Sequence, residues 1–470
     1  MADEHNVNAL GCYGHPMVKT PNLDRLAAMG TRFTSAYTNC PLCVPARASL
    51  ATGRYVHQIE NWDGAHPYDG SVPSWGHRLQ ATGHSVVSIG KLHYRNTSDP
   101  TGFDEQIAPM HVTNGVGDIY GALRNEMPPK AACERLGKEL GPGDSAYLHY
   151  DTEITERACH WIESADESTD GPPWALFVSY ISPHYPLIAP PEFYDMYPLD
   201  EVPVPEPFEA DDPRLHPWVR AIRQGWPYDD YMDDEKRKMG IAAYFGMCSF
   251  MDANVGRVLD AVETSGLAEN TRIVYVSDHG ENLGKRGLWG KMTMYEEAAA
   301  VPLIIAGPDI PEGRVCGTPV SLADAYPTIL ECVGETLTEK EKAFPGDSWY
   351  GIASSPEDPD RVVFSEYHGA GAPSAAYMLR KGKFKYIHYL GYSPELFDLD
   401  SDPQEEVNLA SHPGHDRLLQ EFESILRKIL DPEDADRRAK SAQAALVARF
   451  GGREAILKGG SFAGTPAPKV

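Results

Sequence analysis

"RIVYVSDHG" occupies residues 272–280. Ile273, Val274, Tyr275 and Val276 form a short β-branched and aromatic run, of the kind that makes a strand buried on both faces. The run stops on Ser277, Asp278, His279 and Gly280, so an acid and an imidazole stand at the carboxyl end of the predicted strand. In open α/β sheets that end is where ligands collect. Outward from this stretch the same texture recurs in "WALFVSYIS" from Trp174, "VPLIIAGP" from Val301 and "HSVVSIG" from His84. Helix signals lie between. "TPNLDRLAAMG" (20–30) offers Thr20 as N-cap, Pro21 in the first turn and Gly30 as the stop, and "SWGHRLQATG" (74–83) repeats the logic. A long helix is predicted over 238–266, where apolar residues recur at helical spacing. This alternation predicts an α/β fold built on a large, mainly parallel sheet sandwiched by helices.

The texture changes near residue 350. "RVVFSEYH" (361–368), "AAYMLRKGKFKYIHYL" (375–390) and "ELFDLD" (395–400) predict antiparallel strands with a tight turn at "KGK". A charged helical stretch from about His415 to Phe450 follows. The expected division is a catalytic domain over 1–350 and a smaller C-terminal α+β unit over 351–470. Residues 101–170 and 190–234, rich in Pro, Asp and Tyr, read as long connections that shape a substrate pocket.

The 470 residues hold 42 Lys+Arg against 68 Asp+Glu, a formal net charge of −26. That balance argues against nucleic acid or an anionic membrane surface as the main partner, and no stretch reaches the length of a membrane-spanning helix. The eight cysteines follow no disulfide framework, and "MADEHNVNAL" lacks both a basic n-region and an apolar h-region. Both features predict reduced thiols and a cytoplasmic location.

Asp3-Glu4-His5 opens the chain, and with Asp278-His279 it makes two acid-imidazole clusters that can converge at strand ends. Such a donor set suits a divalent cation: Mn²⁺, Ca²⁺ or Zn²⁺. Cationic groups follow predicted strands as well: Lys91 and His93 in "GKLHY", His184 in "SPHYP" and, a short loop after Asp278-His279, Lys291 in "GKMTMYEEA". Together they suit a tetrahedral oxyanion. Finally, "CPLCVPARASLATGRY" (40–55) contains C-x-P-x-R as Cys43-Val44-Pro45-Ala46-Arg47. Pro45 fits the first turn of a helix, whose free amides and positive dipole end then point toward Cys43.

At this point the chain resembles the formylglycine-dependent sulfatases of the alkaline-phosphatase superfamily. The likeness runs through "ADEH", "CYGHPMVKTPNLDRLAAMGTRFTSAYT", the cysteine signature, "GKLHY", "SPHYP", "SDHGE", "GKMTMYEE" and "ELFDLDSDPQEEVNLA". The Asp278-His279 pair and the tail "GGREAILKGGSFAGTPAP" look most like the choline-sulfatase and phosphonate monoester hydrolase branch. The resemblance implies a maturation enzyme that oxidises Cys43 to formylglycine, and one metal ion, Mn²⁺ or Ca²⁺, held by Asp3, Cys43, Asp278 and His279. Glu4 is implied as a further ligand or as a neighbour of the ligands. The hydrated aldehyde is implied as nucleophile, and Arg47, Lys91 and Lys291 as the groups that neutralise sulfate oxygens. His184 would protonate the leaving alcohol. His93 would deprotonate the second diol hydroxyl, so that sulfate leaves and the aldehyde returns.

Three departures from the family pattern carry expectations of their own. Family members have a full apolar strand before the first Asp, whereas Met1 stands two residues from Asp3, so a start further upstream is expected. Glu4 replaces the usual Asp or Gln. Gly64 stands where an Asn tends to follow the Asp of "NWDGAHPYDG", which makes Asn61, Asp63 and His66 the candidate substrate contacts. The tail after Ala444 reads as docking on its own domain or on a neighbouring subunit, favouring a homodimer or homotetramer. The leading reading is a hydrolase acting on small anionic sulfate esters. A second keeps the machinery for phosphonate monoesters or phosphodiesters, and a third is an inactive binding protein on the same fold.

Overall fold

The computed structural model describes residues 1–124, 127–128, 131–165, 172–209, 211–460 and 464–468. The apolar runs become strands β1 (Gly30–Phe33), β2 (Ser85–Lys91), β3 (Glu105–Met110), β4 (Trp174–Ser179), β5 (Ile273–Val276), β6 (Leu303–Ala306) and β7 (Arg314–Cys316). β3, β2 and β4 pair in parallel. On the other side β7 pairs parallel to β1, and β6 runs antiparallel to both β1 and β5.

Met1 and Ala2 join the two halves. The Met1 amine donates to the Val178 carbonyl at 2.8 Å. Tyr180 N–H donates to the Met1 carbonyl and Ala2 N–H to the Val276 carbonyl, each at 2.9 Å. The order is therefore β3-β2-β4-(Met1–Ala2)-β5-β6-β1-β7, with β6 alone reversed. Two residues stand where the resemblance implies a whole central strand. They deliver Asp3 to the same sheet edge as Asp278, because Ala2 bridges Ser277 in parallel.

The long helix forms over Asp234–Thr264 and is buried along most of its length. The helix Pro21–Ala28 forms as well, but the Thr20 side chain does not cap it. Asp252 of the long helix reaches across instead and accepts from Asn22 N–H at 3.1 Å and Leu23 N–H at 2.8 Å. The 101–170 connection contains an unanticipated helix of 18 residues, Ala146–Glu163. Its buried face mixes Leu148, Ile154, Ala158 and Ile162 with the polar Asp151 and Thr155, which dilutes the apolar periodicity that marks a helix.

The C-terminal part is a meander of β8 (Val362–Tyr367), β9 (Ala376–Lys381), β10 (Phe384–Tyr389) and β11 (Glu395–Asp398), antiparallel throughout. Gly382 takes a φ of 54° in the predicted "KGK" turn. The charged helical stretch is broken before Pro432 into Asp416–Ile429 and Pro432–Arg449, as proline requires. Among the described residues no helix is long and apolar enough to cross a membrane.

Glu395 at the start of β11 is buried and accepts from Tyr389 at 2.9 Å and from Tyr295 at 3.2 Å. Burial pushes its carboxyl up to about 7, against those hydroxyls. A carboxyl raised on folding favours the folded state fully below its ordinary value of 4.5 and loses that advantage as pH rises through about 7. Glu395→Gln should remove that slope. In urea unfolding at pH 5 and pH 8, wild type should lose about 3 kcal/mol more stability than the variant over this interval. Parallel losses in the two proteins would contradict the assignment.

Candidate active site

Cys43 is the first residue of the helix Cys43–Thr52, every residue of which is buried. One ligand atom from each of Asp3, Cys43, Asp278 and His279 lies within 4.8 Å of the others. Residues far apart in the chain thus meet at the sheet edge. His279 Nδ1 sits 3.0 Å from the Gly280 carbonyl, which can only accept, so Nδ1 carries the proton and Nε2 is bare. That Nε2 lies 3.9 Å from Asp3 Oδ1 and 3.7 Å from Asp278 Oδ1. His279 Nε2 and Asp3 Oδ1 are buried with no hydrogen-bond partner, while Glu4 groups with Asp3 and His184 instead. Bare acceptors converging without a donor are costly in an interior unless a cation meets them. Hard cations hold oxygen ligands at about 2.3–2.6 Å, so ligands of one ion lie up to about 5 Å apart, and the cluster fits.

Arg47 departs from its expected role. Its Nε donates to Asp278 Oδ2 at 2.8 Å and its Nη2 to Asp3 Oδ2 at 3.0 Å. Nη1 donates to the Lys91 carbonyl at 2.7 Å and to Ser179 Oγ at 2.9 Å. The guanidinium therefore fixes two carboxylates and two strand ends, and it does not line the cavity where a substrate oxygen would sit. Burial works against its charge, but Asp278 and Asp3 outweigh it and hold Arg47 above its ordinary value.

Lys91 and Lys291 do line that cavity, with Glu4, Cys43, His93 and His184. Lys91 Nζ lies 2.6 Å from Asp3 Oδ2, and Lys291 Nζ 3.1 Å from Glu4 Oε2. Burial raises the Asp3 carboxyl, but Lys91, His184, Arg47 and Lys291 together hold it well below the usual carboxylate range. Burial likewise opposes the Lys291 charge, and Cys43, Glu4 and Asp3 override it to push the ammonium well up. The Cys43 thiol is raised by burial despite Lys291. As a plain thiol it is therefore poorly ionised.

His184 donates from Nδ1 to the Tyr185 carbonyl at 2.7 Å, leaving Nε2 at 3.3 Å from Glu4 Oε2. Burial and the neighbouring Lys291 and Lys91 hold His184 well below its ordinary value. Glu4 takes a φ of 66° and is pushed by burial up to about 8. His93, with φ 56°, is likewise lowered by burial and by Lys91. Its Nε2 meets the Thr465 hydroxyl at 3.1 Å, and Tyr147 OH donates to the Thr465 carbonyl at 2.5 Å. The described end of the tail thus docks on its own chain, over the cavity.

Asn61, Asp63 and His66 are placed away from the cavity. Asn61 Nδ2 donates to the His66 carbonyl, and Asp63 binds Ala65 N–H, His66 and Gln443. Gly64 lines the wall instead. Side chains one to three residues from Gly64 along this turn point elsewhere, which a string of residues does not reveal. The sequence reading also missed Glu281 and Asn282. Glu281 Oε1 accepts from Gly290 N–H at 2.5 Å, and Asn282 Nδ2 donates to the carbonyls of Gly290 at 2.7 Å and Lys291 at 3.3 Å. They clamp the loop that presents Lys291. Their place in "SDHGEN", directly after the metal-type pair, was the available signal.

The cavity is about 170 Å³. A larger one of about 630 Å³ lies between Asn6, Arg214, Arg286 and Glu405. There Arg286 is paired with Glu297 at 3.0 Å and Arg214 with Asp212 at 2.7 Å. The smaller cavity holds the converging Cys43, Lys91, Lys291 and His184, so the chemistry belongs there.

Comparison with known proteins gives the family. The sulfatase family model matches residues 1–335, and the model for the C-terminal part of N-sulphoglucosamine sulphohydrolase matches residues 284–431. The chain therefore belongs to the sulfatase family, and its class is that of the sulfuric ester hydrolases. It is 32% identical over 449 residues to choline-sulfatase of Rhizobium meliloti (strain 1021), covering 90% of this chain and 84% of that protein. It is 29% identical over 437 residues to arylsulfatase K of Danio rerio, covering 89% and 80% of the two chains. The phosphonate monoester hydrolase of Agrobacterium radiobacter shares the fold, with a TM-score of 0.74 at 22% identity over 91% of this chain and 94% of the other. The architecture is thus alkaline-phosphatase-like, with a C-terminal unit, in the branch that the Asp-His pair indicates.

Proposed function

We propose that the protein hydrolyses sulfate monoesters of compact alcohols through a covalent sulfo-enzyme intermediate at position 43. The observation that carries this is the meeting of Cys43, which lines the cavity, with the bare acceptors of Asp3 and His279 and with Asp278, their ligand atoms within 4.8 Å of one another. Asp3, Asp278, His279 and the side chain at position 43 would hold one divalent cation, Mn²⁺ or Ca²⁺, which when bound supplies Lewis-acid charge beside the nucleophile. Formylglycine derived from Cys43 would supply a geminal diol in place of the poorly ionised thiol.

The chain's own residues take the remaining roles. Lys91 and Lys291 bind sulfate oxygens as negative charge develops. His184 keeps its Nδ1 proton on the Tyr185 carbonyl, so Nε2 is the nitrogen that, once the imidazole is protonated, passes a proton to the leaving alcohol oxygen. His93, braced by Thr465, accepts a proton at its other face of the cavity during release. Arg47 keeps Asp3 and Asp278 oriented. Residues 1–350 form the catalytic unit, and 351–470 close one wall through Tyr367, Ala370 and Thr465.

The small volume and the rings of Tyr147, Tyr185, Trp226, Tyr228 and Tyr367 suit a compact apolar or quaternary-ammonium alcohol. The choline-sulfatase relative supports that reading. Rates on an aryl sulfate, an aryl phosphonate monoester and an aryl phosphodiester test the ester class. The sulfate should give the highest kcat/KM by about tenfold or more, since each factor of ten is about 1.4 kcal/mol of differential binding. A phosphonate or diester that is faster transfers the assignment to that substrate.

The maturation step makes a further prediction. Every residue of Cys43–Thr52 is buried, so folded protein mixed with the formylglycine-generating enzyme should stay unconverted, whereas co-expression should convert it. Conversion of the folded protein at the co-expression level would contradict the burial of this helix in solution.

A further inference from the structure

We infer that Asp151 is a positioning residue for His184. It lies on the unanticipated helix Ala146–Glu163 and is fully buried. Its two carboxylate oxygens are each spent on one backbone donor of the segment that leads into His184. Oδ1 accepts from Ile181 N–H at 2.8 Å and Oδ2 from Ser182 N–H at 2.7 Å. The same short segment is held from its other side, because His184 N–H donates to the Ile181 carbonyl at 3.0 Å and Asp3 N–H faces the Ser182 carbonyl at 3.5 Å. Asp151 therefore grips, from outside the cavity, the turn that separates the proposed acid from a metal-type carboxylate. Asp151 does not itself line the cavity.

A carboxylate suits this position because it accepts at both oxygens. An asparagine of the same shape would turn an NH₂ toward one of two N–H groups. One buried donor would then lose its partner, and the turn would shift to relieve it. A displacement of His184 by a fraction of an ångström costs proton transfer more than it costs binding of the sulfate by Lys91 and Lys291.

This rests on the reading of His184 as the group that protonates the leaving oxygen, and the test separates the two. Substrates with a good leaving group, such as 4-nitrophenyl sulfate, need little protonation, whereas alkyl sulfates need it fully. His184→Ala should lose about 10³-fold in kcat/KM on an alkyl sulfate and about tenfold on the nitrophenyl ester. Asp151→Asn should lose about 30-fold on the alkyl sulfate and under about threefold on the nitrophenyl ester, and should add nothing when combined with His184→Ala.

Asp252→Asn is the control. Asp252 also accepts from two backbone N–H groups, but at the helix Pro21–Ala28. It should lower stability with equal, small effects on both esters. Selectivity in His184→Ala without selectivity in Asp151→Asn overturns the role of Asp151 alone. No selectivity in His184→Ala overturns the acid assignment, and this inference with it. Should Asp151→Asn not fold, Asp151→Ser keeps one acceptor and carries the same comparison, with the same results deciding it.

Discussion

Cys43→Ala should lower kcat/KM on an aryl sulfate by about 10⁵-fold or more, the scale on which removal of a covalent nucleophile acts. The fold should survive. The side chain is small and sits at the first turn of a helix whose other nine residues keep their contacts, so a change in Tm of a few degrees at most is expected. The variant should still take up the cation, because Asp3 and His279 keep their bare acceptors and Asp278 stays beside them. Loss of turnover with retained cation isolates the chemistry of position 43 from the electrostatics around it. Retained turnover would exclude covalent catalysis from this residue.

Asp278→Asn should fail differently. Oδ1 of Asp278 accepts from Glu4 N–H at 3.1 Å and from His279 N–H at 3.0 Å, while Oδ2 accepts from Arg47 Nε at 2.8 Å. An amide oxygen can keep the first two contacts, but its NH₂ then faces the Arg47 donor. A buried guanidinium left without one carboxylate costs about 3 kcal/mol, so unfolding should move to lower denaturant. Cation content should fall from about one per chain to under about 0.1, and kcat/KM by about 10³-fold or more. Chelation of the wild type should give the same inactivity, but reversibly on return of Mn²⁺ or Ca²⁺. A variant that keeps both its cation and its rate would remove Asp278 from the ligand set.

The strands and the residues at their ends were legible because each is a local signal. Ile273–Val276 and Ser85–Lys91 announce themselves by composition, and Asp278, His279, Lys91 and His184 follow within a few residues of a strand. Where a side chain's role depends on what lies across the fold, the string of residues misled. Arg47 reads as an anion binder beside Cys43, but two carboxylates and the Lys91 and Ser179 groups consume four of its N–H bonds. Thr20 reads as an N-cap, but Asp252 supplies the cap from 230 residues away. Asn61, Asp63 and His66 stand in the right segment and face one another or Gln443 rather than the cavity. The helix holding Asp151 was hidden by the polar residue that gives it interest. A buried carboxylate lowers helical amphipathicity in the sequence and becomes intelligible only beside the Ile181 and Ser182 amides.

Oxidation of Cys43 to formylglycine removes about 18 Da from its peptide, the exchange of a thiol and hydrogen for a carbonyl oxygen. Peptide mass spectrometry on preparations made with graded amounts of the maturation enzyme gives the converted fraction, to be set against sulfatase rate per mole of protein. The rate should rise in proportion to that fraction and vanish where only thiol is found. Full activity in protein whose residue 43 is entirely cysteine would contradict the account at its centre.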